Sequence, residues 1–124
     1  MFKNTIISAA DNSGAVLMRI TQIYTKSVSP LGVRASVVMR QFDRAKKLQK
    51  KKKYACMLIS GKQLTRRKSG VGVRFSENRG ILFYNKDFDK LLGTRVSGPV
   101  ARELRRRGLD ASVLQKISAN CIFI

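Results

Sequence analysis

Histidine and tryptophan are missing altogether from this 124-residue chain. Without histidine, no side chain has an ordinary pKa suited to general acid–base work near neutral pH, and the commonest nitrogen ligand for metals is gone. Cysteine is scarce: Cys56 and Cys121 stand far apart among apolar neighbours, with no CxxC spacing. A zinc knuckle or finger is excluded, and both thiols read as reduced and buried or half-buried. Acids number only seven. Asp87 and Asp89 alone lie close together, in a polar stretch (85–90) that reads as a solvated turn. Gly70-Val71-Gly72-Val73 alternates glycine, yet no Walker lysine or dinucleotide-type spacing follows. It reads as a strand needing close backbone approach. No catalysis, cofactor or metal is expected. Long apolar runs are absent too: the longest, residues 55–59 and 81–84, fall far below the roughly 20 residues of a bilayer span. No basic helix with a broad apolar face stands out, so no membrane partner is expected. Patterned sequence begins within the first ten residues, and no signal or transit peptide is expected.

What the chain has in excess is positive charge. Lysine and arginine total 26, giving a net charge of +19 and a pI near 11.1. Such a charge opposes compaction, and a polyanion that releases counterions on binding offsets the cost. Apolar residues make up 44%, so this is one folded domain and not a disordered basic tail. Nucleic acid is the partner that fits.

Short segments alternate with the two-residue period of a half-buried strand. In residues 33–40, Val33, Ala35, Val37 and Met39 share one face, with Arg34, Ser36 and Arg40 on the other. In residues 71–75, Val71, Val73 and Phe75 oppose Arg74. Residues 16–24, 54–60 and 80–84 are β-rich and apolar, and 5–8 could add a short first strand. Turn formers separate them: Asp11-Asn12-Ser13-Gly14, Ser29-Pro30-Leu31-Gly32 and Lys68-Ser69-Gly70. This spacing predicts a mainly β fold, a small closed or nearly closed barrel of five or six short strands (residues 1–97) carrying basic loops. Residues 98–124 read as a helical C-terminal region. Gly98 caps a helix with Pro99 at its first position, Val100 and Leu104 stack, Glu103 pairs with Arg107, and Gly108 ends it. Asp110 caps a second short helix reaching about residue 117.

The charge is clustered. No acid lies between Asp43 and Glu77, a window holding Arg44, Lys46, Lys47, Lys50, Lys51, Lys52, Lys53, Lys62, Arg66, Arg67, Lys68 and Arg74. Two dense groups flank the strand at 54–60 and so occupy the loops at its ends, where they can reach phosphates in RNA grooves. Arg95, Arg102, Arg105 and Arg106 form a further group, and Asn12 and Ser13 fix a turn whose amides can meet RNA or a neighbour. A lysine run alone could be a solvated loop or a targeting patch. That reading does not account for the other groups. Tyr24, Tyr54, Phe75, Phe83 and Tyr84 are expected in the core or on the barrel face, leaving recognition to phosphate, sugar and shape.

Ala10-Asp11-Asn12-Ser13-Gly14-Ala15, the run Gly93-Thr94-Arg95-Val96-Ser97-Gly98-Pro99-Val100-Ala101-Arg102-Glu103-Leu104-Arg105, and between them Arg66-Arg67-Lys68-Ser69-Gly70, Arg74-Phe75, Asn78 and Ile81-Leu82 carry a resemblance. In order and spacing they resemble the universal large-subunit ribosomal protein number fourteen family, over almost the whole chain. The resemblance implies a five-stranded β-barrel with a small helical C-terminal region. It implies a permanent, non-enzymatic place in the large ribosomal subunit, bound to rRNA near the intersubunit interface. It further implies neighbours of the number three and number nineteen families, bridges to small-subunit rRNA, and a docking ribosome-silencing factor. Lys52-Lys53 stand where the family commonly has a Gly-Asp turn, Gly32-Val33 replace an earlier Gly-Asp, and Lys68 replaces a common proline. The divergent centre, the missing histidine and tryptophan and the extreme charge point to a mitochondrial member, with a plastid or bacterial cytoplasmic one as the alternative. A free-standing RNA-binding or translation-factor barrel is the competing function.

Overall fold

The computed structural model describes residues 3–24, 32–43, 48–88, 90–106 and 111–124. In chain order these form strands β1 (Ile6–Ala9), β2 (Ala15–Ile23), β3 (Arg34–Phe42), β4 (Lys53–Ser60), β5 (Thr65–Arg66), β6 (Gly72–Val73), β7 (Arg79–Phe83) and β8 (Gly98–Val100). A 3-10 helix (Arg102–Arg106), helix α1 (Ala111–Asn120) and strand β9 (Cys121–Phe123) follow. Five strands close into a barrel in the order β1-β2-β3-β4-β7. Its neighbours are antiparallel except at the short parallel seam, where Ser8 pairs with Arg79 and Ala9 with Gly80. The seam depends on Gly80. A Cβ there would lie 2.6 Å from Cys56 Sγ and 3.1 Å from Ile7 Cδ1, so only a bare backbone lets the ends meet.

Two apolar clusters follow from side-chain alternation. Ile7, Met18, Ile20, Val33, Ala35, Val37, Met39, Cys56, Leu58 and Leu82 fill one. The expected face of β3 is confirmed: Val33, Ala35, Val37 and Met39 are all buried. The second cluster takes the opposite faces of β4 and β7 (Ala55, Met57, Ile59, Ile81, Phe83) and sets them against Val96, Val100, Leu104, Val113 and Ile117. Strands β4 and β7 are therefore buried on both faces. Two-sided burial is why residues 55–59 and 81–83 read as unbroken apolar runs and not as alternation.

The structure corrects three expectations. Residues 71–75 do not supply a barrel strand. The turn at Lys68-Ser69-Gly70 folds the chain back so that β6 pairs with β5, Thr65 opposite Val73, and Val71 stays exposed. Pairing close in sequence satisfies that backbone locally, and the two-residue strands cover too little apolar surface to join the barrel. Gly98-Pro99 does not open a helix either. Gly98 sits at φ +93° against the Arg79 guanidinium, and β8 runs parallel to β9 with Val100 opposite Phe123. Helical turns begin only at Arg102, with Leu104 N donating to Ala101 O at 3.1 Å. Val100 and Leu104 are nonetheless both fully buried in one cluster, the first from a strand. The second helix continues past residue 117 to Asn120, and β9 beyond it was not expected. Asp110, Arg107, Gly108 and Ser29-Pro30-Leu31 lie outside the described residues.

Candidate nucleic-acid interface

The first basic group precedes β4. Leu48 is buried and anchors the segment, and Gln49 N donates to the Tyr54 hydroxyl at 2.9 Å. With both ends held, Lys50, Lys51, Lys52 and Lys53 stand exposed. Lys50 and Lys51 share a cleft of about 490 Å³ with Arg19 and Arg40. Strand geometry puts the arginines there: Met18, Ile20 and Met39 turn inward, so Arg19 and Arg40 face out on neighbouring strands. Four cations converge on one open cleft, with no carboxylate lining it among the described residues. Sequence reasoning missed Arg19 and Arg40 because it weighed clusters along the chain. The alternation of β2 and β3 was the available signal. Arg44, Lys46 and Lys47 lie outside the described residues.

The second group lies past the far end of β4, whose eight residues span roughly 26 Å. Lys62, Arg66, Lys68 and Arg74 are exposed. Arg67 differs from them. Its Nε meets Glu103 Oε1 at 2.7 Å and its Nη2 meets Oε2 at 3.2 Å, a two-point grip, and Nη2 also donates to Ile124 O. The hydrogen bond to Glu103 raises the arginine pKa further above its ordinary value. Arg67 is thus engaged in holding the C-terminal segment. Glu103 takes Arg67 as a partner; its expected pairing with Arg107 lies outside the described residues. Arg102 and Arg105 are exposed, the latter with its guanidinium 4.0 Å from the Phe123 ring centroid. The side chain of Arg106 is outside the described residues.

The corner at Asp11–Gly14 is a clamp. Asn12 Oδ1 accepts from the amides of Thr94 (2.8 Å) and Arg95 (2.9 Å), and Nδ2 donates to Thr94 Oγ1 at 2.8 Å. Ser13 Oγ donates to Asp11 Oδ1 at 2.7 Å, while Asp11 Oδ2 accepts from Leu82 N at 3.0 Å. The Asn12 and Ser13 side chains hold the turn, and Arg95 is presented outward from the clamped segment.

Among the aromatics, Phe83 is buried and Tyr54 and Phe75 are half-buried. Tyr24 and Tyr84 lie outside the core, being 39% and 61% exposed. Each follows directly on a barrel strand, where the chain leaves the sheet. Both thiols are free, Cys56 buried and Cys121 half-buried. Burial pushes the Cys56 thiol far above its ordinary range.

Comparison with known proteins bears on this surface. The family described as ribosomal protein L14p/L23e matches residues 1–118. The large ribosomal subunit protein uL14 of Petrotoga mobilis is 37% identical over 106 residues, covering 82% of this chain and 84% of that protein. The same-named protein of Solibacter usitatus is 36% identical over 107 residues, with 82% and 84% covered. That of Aquifex aeolicus is 30% identical over 108 residues, with 86% and 88% covered. A closed five-stranded barrel, an outward-facing basic surface and a family match over nearly the full length agree: the chain belongs to the ribosomal protein L14p/L23e family, of bacterial type, and is a structural ribosomal protein and not an enzyme.

Proposed function

We propose that this protein is a constituent of the large ribosomal subunit that holds rRNA through phosphate contacts made at the two ends of the barrel. The observation that carries this reading is the cleft in which Arg19, Arg40, Lys50 and Lys51 converge, with no carboxylate lining it among the described residues. A rigid barrel beneath it keeps the cations in place before RNA arrives, so little ordering entropy opposes binding. Lys62, Arg66, Lys68 and Arg74 extend the surface at the far end, and Arg95, Arg102 and Arg105 serve the C-terminal side. The family resemblance supports a position near the intersubunit interface. There the protein would sit beside proteins of the number three and nineteen families, bridge to small-subunit rRNA and receive a ribosome-silencing factor. The extreme charge and the missing histidine and tryptophan support a mitochondrial ribosome over a plastid or bacterial one.

Binding of the purified chain to large-subunit rRNA across a salt series tests the reading. Replacing Arg19, Arg40, Lys50 and Lys51 together by alanine should flatten the log–log salt slope by up to about 3.6 units, at about 0.9 for each phosphate no longer neutralised. An unchanged slope removes the cleft from the interface. Sedimentation of a low-salt lysate separates the competing function: a free monomer beside intact ribosomes favours a free-standing barrel. Mass spectrometry of purified mitochondrial large subunits tests the compartment, and absence from them refutes it.

A further inference from the structure

A second cleft, of about 370 Å³, opens where β2 and β7 end and β4 begins, and its walls carry three tyrosines: Tyr24, Tyr54 and Tyr84. Exposed aromatic rings gathered at one place mark a binding surface more often than chance exposure. The backbone holds each one. Tyr24 N donates to Arg34 O at 2.9 Å, Tyr84 N donates to Lys90 O at 3.0 Å, and the Tyr54 hydroxyl takes the Gln49 amide. Every ring has an ammonium over one of its faces: Lys86 Nζ lies 5.7 Å from the Tyr24 centroid, Lys52 Nζ 5.5 Å from Tyr54, and Lys90 Nζ 5.0 Å from Tyr84. Lys53 and Lys86 line the cleft itself, together with the amides of Gln22 and Asn85, and no carboxylate lines it among the described residues.

We propose that this cleft receives an unstacked nucleotide of single-stranded RNA, its base lying against Tyr24 and Tyr84 and its phosphates meeting the lysines. Flat aromatic faces suit a base, which has a π surface whatever its identity. Each ammonium covers one face of its ring, so the base takes the other face and the ammonium meets the backbone that comes with it; the amides of Gln22 and Asn85 offer donors and acceptors for a base edge. A purely phosphate-reading surface has no use for the rings. An apolar protein segment has no use for the cations, and an acidic one gains little from amides and stacked rings together. The inference rests on the proposed rRNA binding but concerns a different cleft and a different kind of interaction. It adds base stacking to a recognition otherwise read as phosphate, sugar and shape.

Salt-series binding to large-subunit rRNA distinguishes the two proposals. Tyr84→Leu and Tyr24→Leu should each weaken binding about 5- to 150-fold, the range for loss of one stacked base, with the salt slope unchanged because no cation is removed. Tyr84→Phe keeps the ring and should bind as the native chain does. Ultraviolet cross-linking of assembled large subunits should yield nucleotide adducts on peptides containing Tyr24 or Tyr84. Native affinity in both leucine variants overturns the proposal, as do cross-links joining these tyrosines to a neighbouring protein instead of RNA. Neither result touches the arginine–lysine cleft, whose own slope measurement stands or fails independently.

Discussion

The two basic clusters on either side of β4 look alike as strings of letters and differ in what they do. Lys50, Lys51, Lys52 and Lys53 project into solvent from a segment pinned at Leu48 and Tyr54. Of the trio Arg66, Arg67 and Lys68, the outer two are exposed, but the middle one grips Glu103 and the Ile124 carbonyl. One cluster is held ready for a partner outside the chain; the other also fastens the C-terminal segment to the hairpin β5–β6. Arginine is the residue for the second task, since its planar fork matches a carboxylate at two points where an ammonium offers only a point charge. Density of positive charge therefore locates a surface without saying which cations are available to it.

The severest way to break the comparison removes the unit that Arg67 fastens. Leu104 is fully buried against the outer faces of β4 and β7. Leu104→Asp should cost about 3–5 kcal/mol, because it leaves an unpaired charge among apolar side chains. Thermal unfolding followed by circular dichroism measures it, and an unaltered transition would mean that the C-terminal segment does not dock through this residue. Next in size is the opposite experiment. Replacing Lys50, Lys51, Lys52 and Lys53 by alanine should flatten the rRNA salt slope by up to about 3.6 units while leaving the melting transition in place. A lowered transition would show that this cluster also serves the fold.

How far the sequence revealed this structure depends on how local the causes were. β3 was legible because one face is core and the other is not, so the alternation of Val33, Ala35, Val37 and Met39 is printed in the chain. β4 and β7 were legible as strands of apolar character, but their second buried face is explained only by residues downstream of β7, from Phe88 and Leu91 to Val113 and Ile117. The C-terminal region was the least legible. Val100 pairs with Phe123, and neither residue has a local pattern that announces the other, so Gly98 and Pro99 show only their helix-start preferences. The interface shows the same division. Clusters adjacent in sequence stand out; Arg19 and Arg40, brought together only by the β2–β3 register, do not. Tyr24 and Tyr84 left core and barrel face open on paper, and their places at strand ends put both outside the core.

Arg67→Lys sharpens the contrast with a gentler change. The charge is retained, so the salt slope of rRNA binding should stay the same, while the two-point grip on Glu103 is broken. The melting transition should fall by much less than in Leu104→Asp. A flattened slope with unchanged melting would reverse the roles assigned to the two clusters.

The smallest expected effect is kinetic and uses the two thiols as reporters of the two regions. Cys56 lies sealed in the barrel interior, so alkylation there needs the barrel to open. Cys121 begins β9, is half-buried, and donates its thiol to Val96 O at 3.3 Å. Burial raises its pKa above the ordinary value of 9.0, partly opposed by the Arg79 charge. Since the thiolate is the reactive species, Cys121 labelling should climb about tenfold per pH unit and keep climbing past pH 9. At any fixed pH, Cys121 should react before Cys56. Arg67→Ala, by loosening the hold on Ile124, should speed Cys121 several-fold through more frequent local opening and leave Cys56 unchanged. Equal acceleration at both thiols would mean that Arg67 steadies the whole barrel, and the division between a cluster for the partner and a cluster for the fold would lose its structural basis.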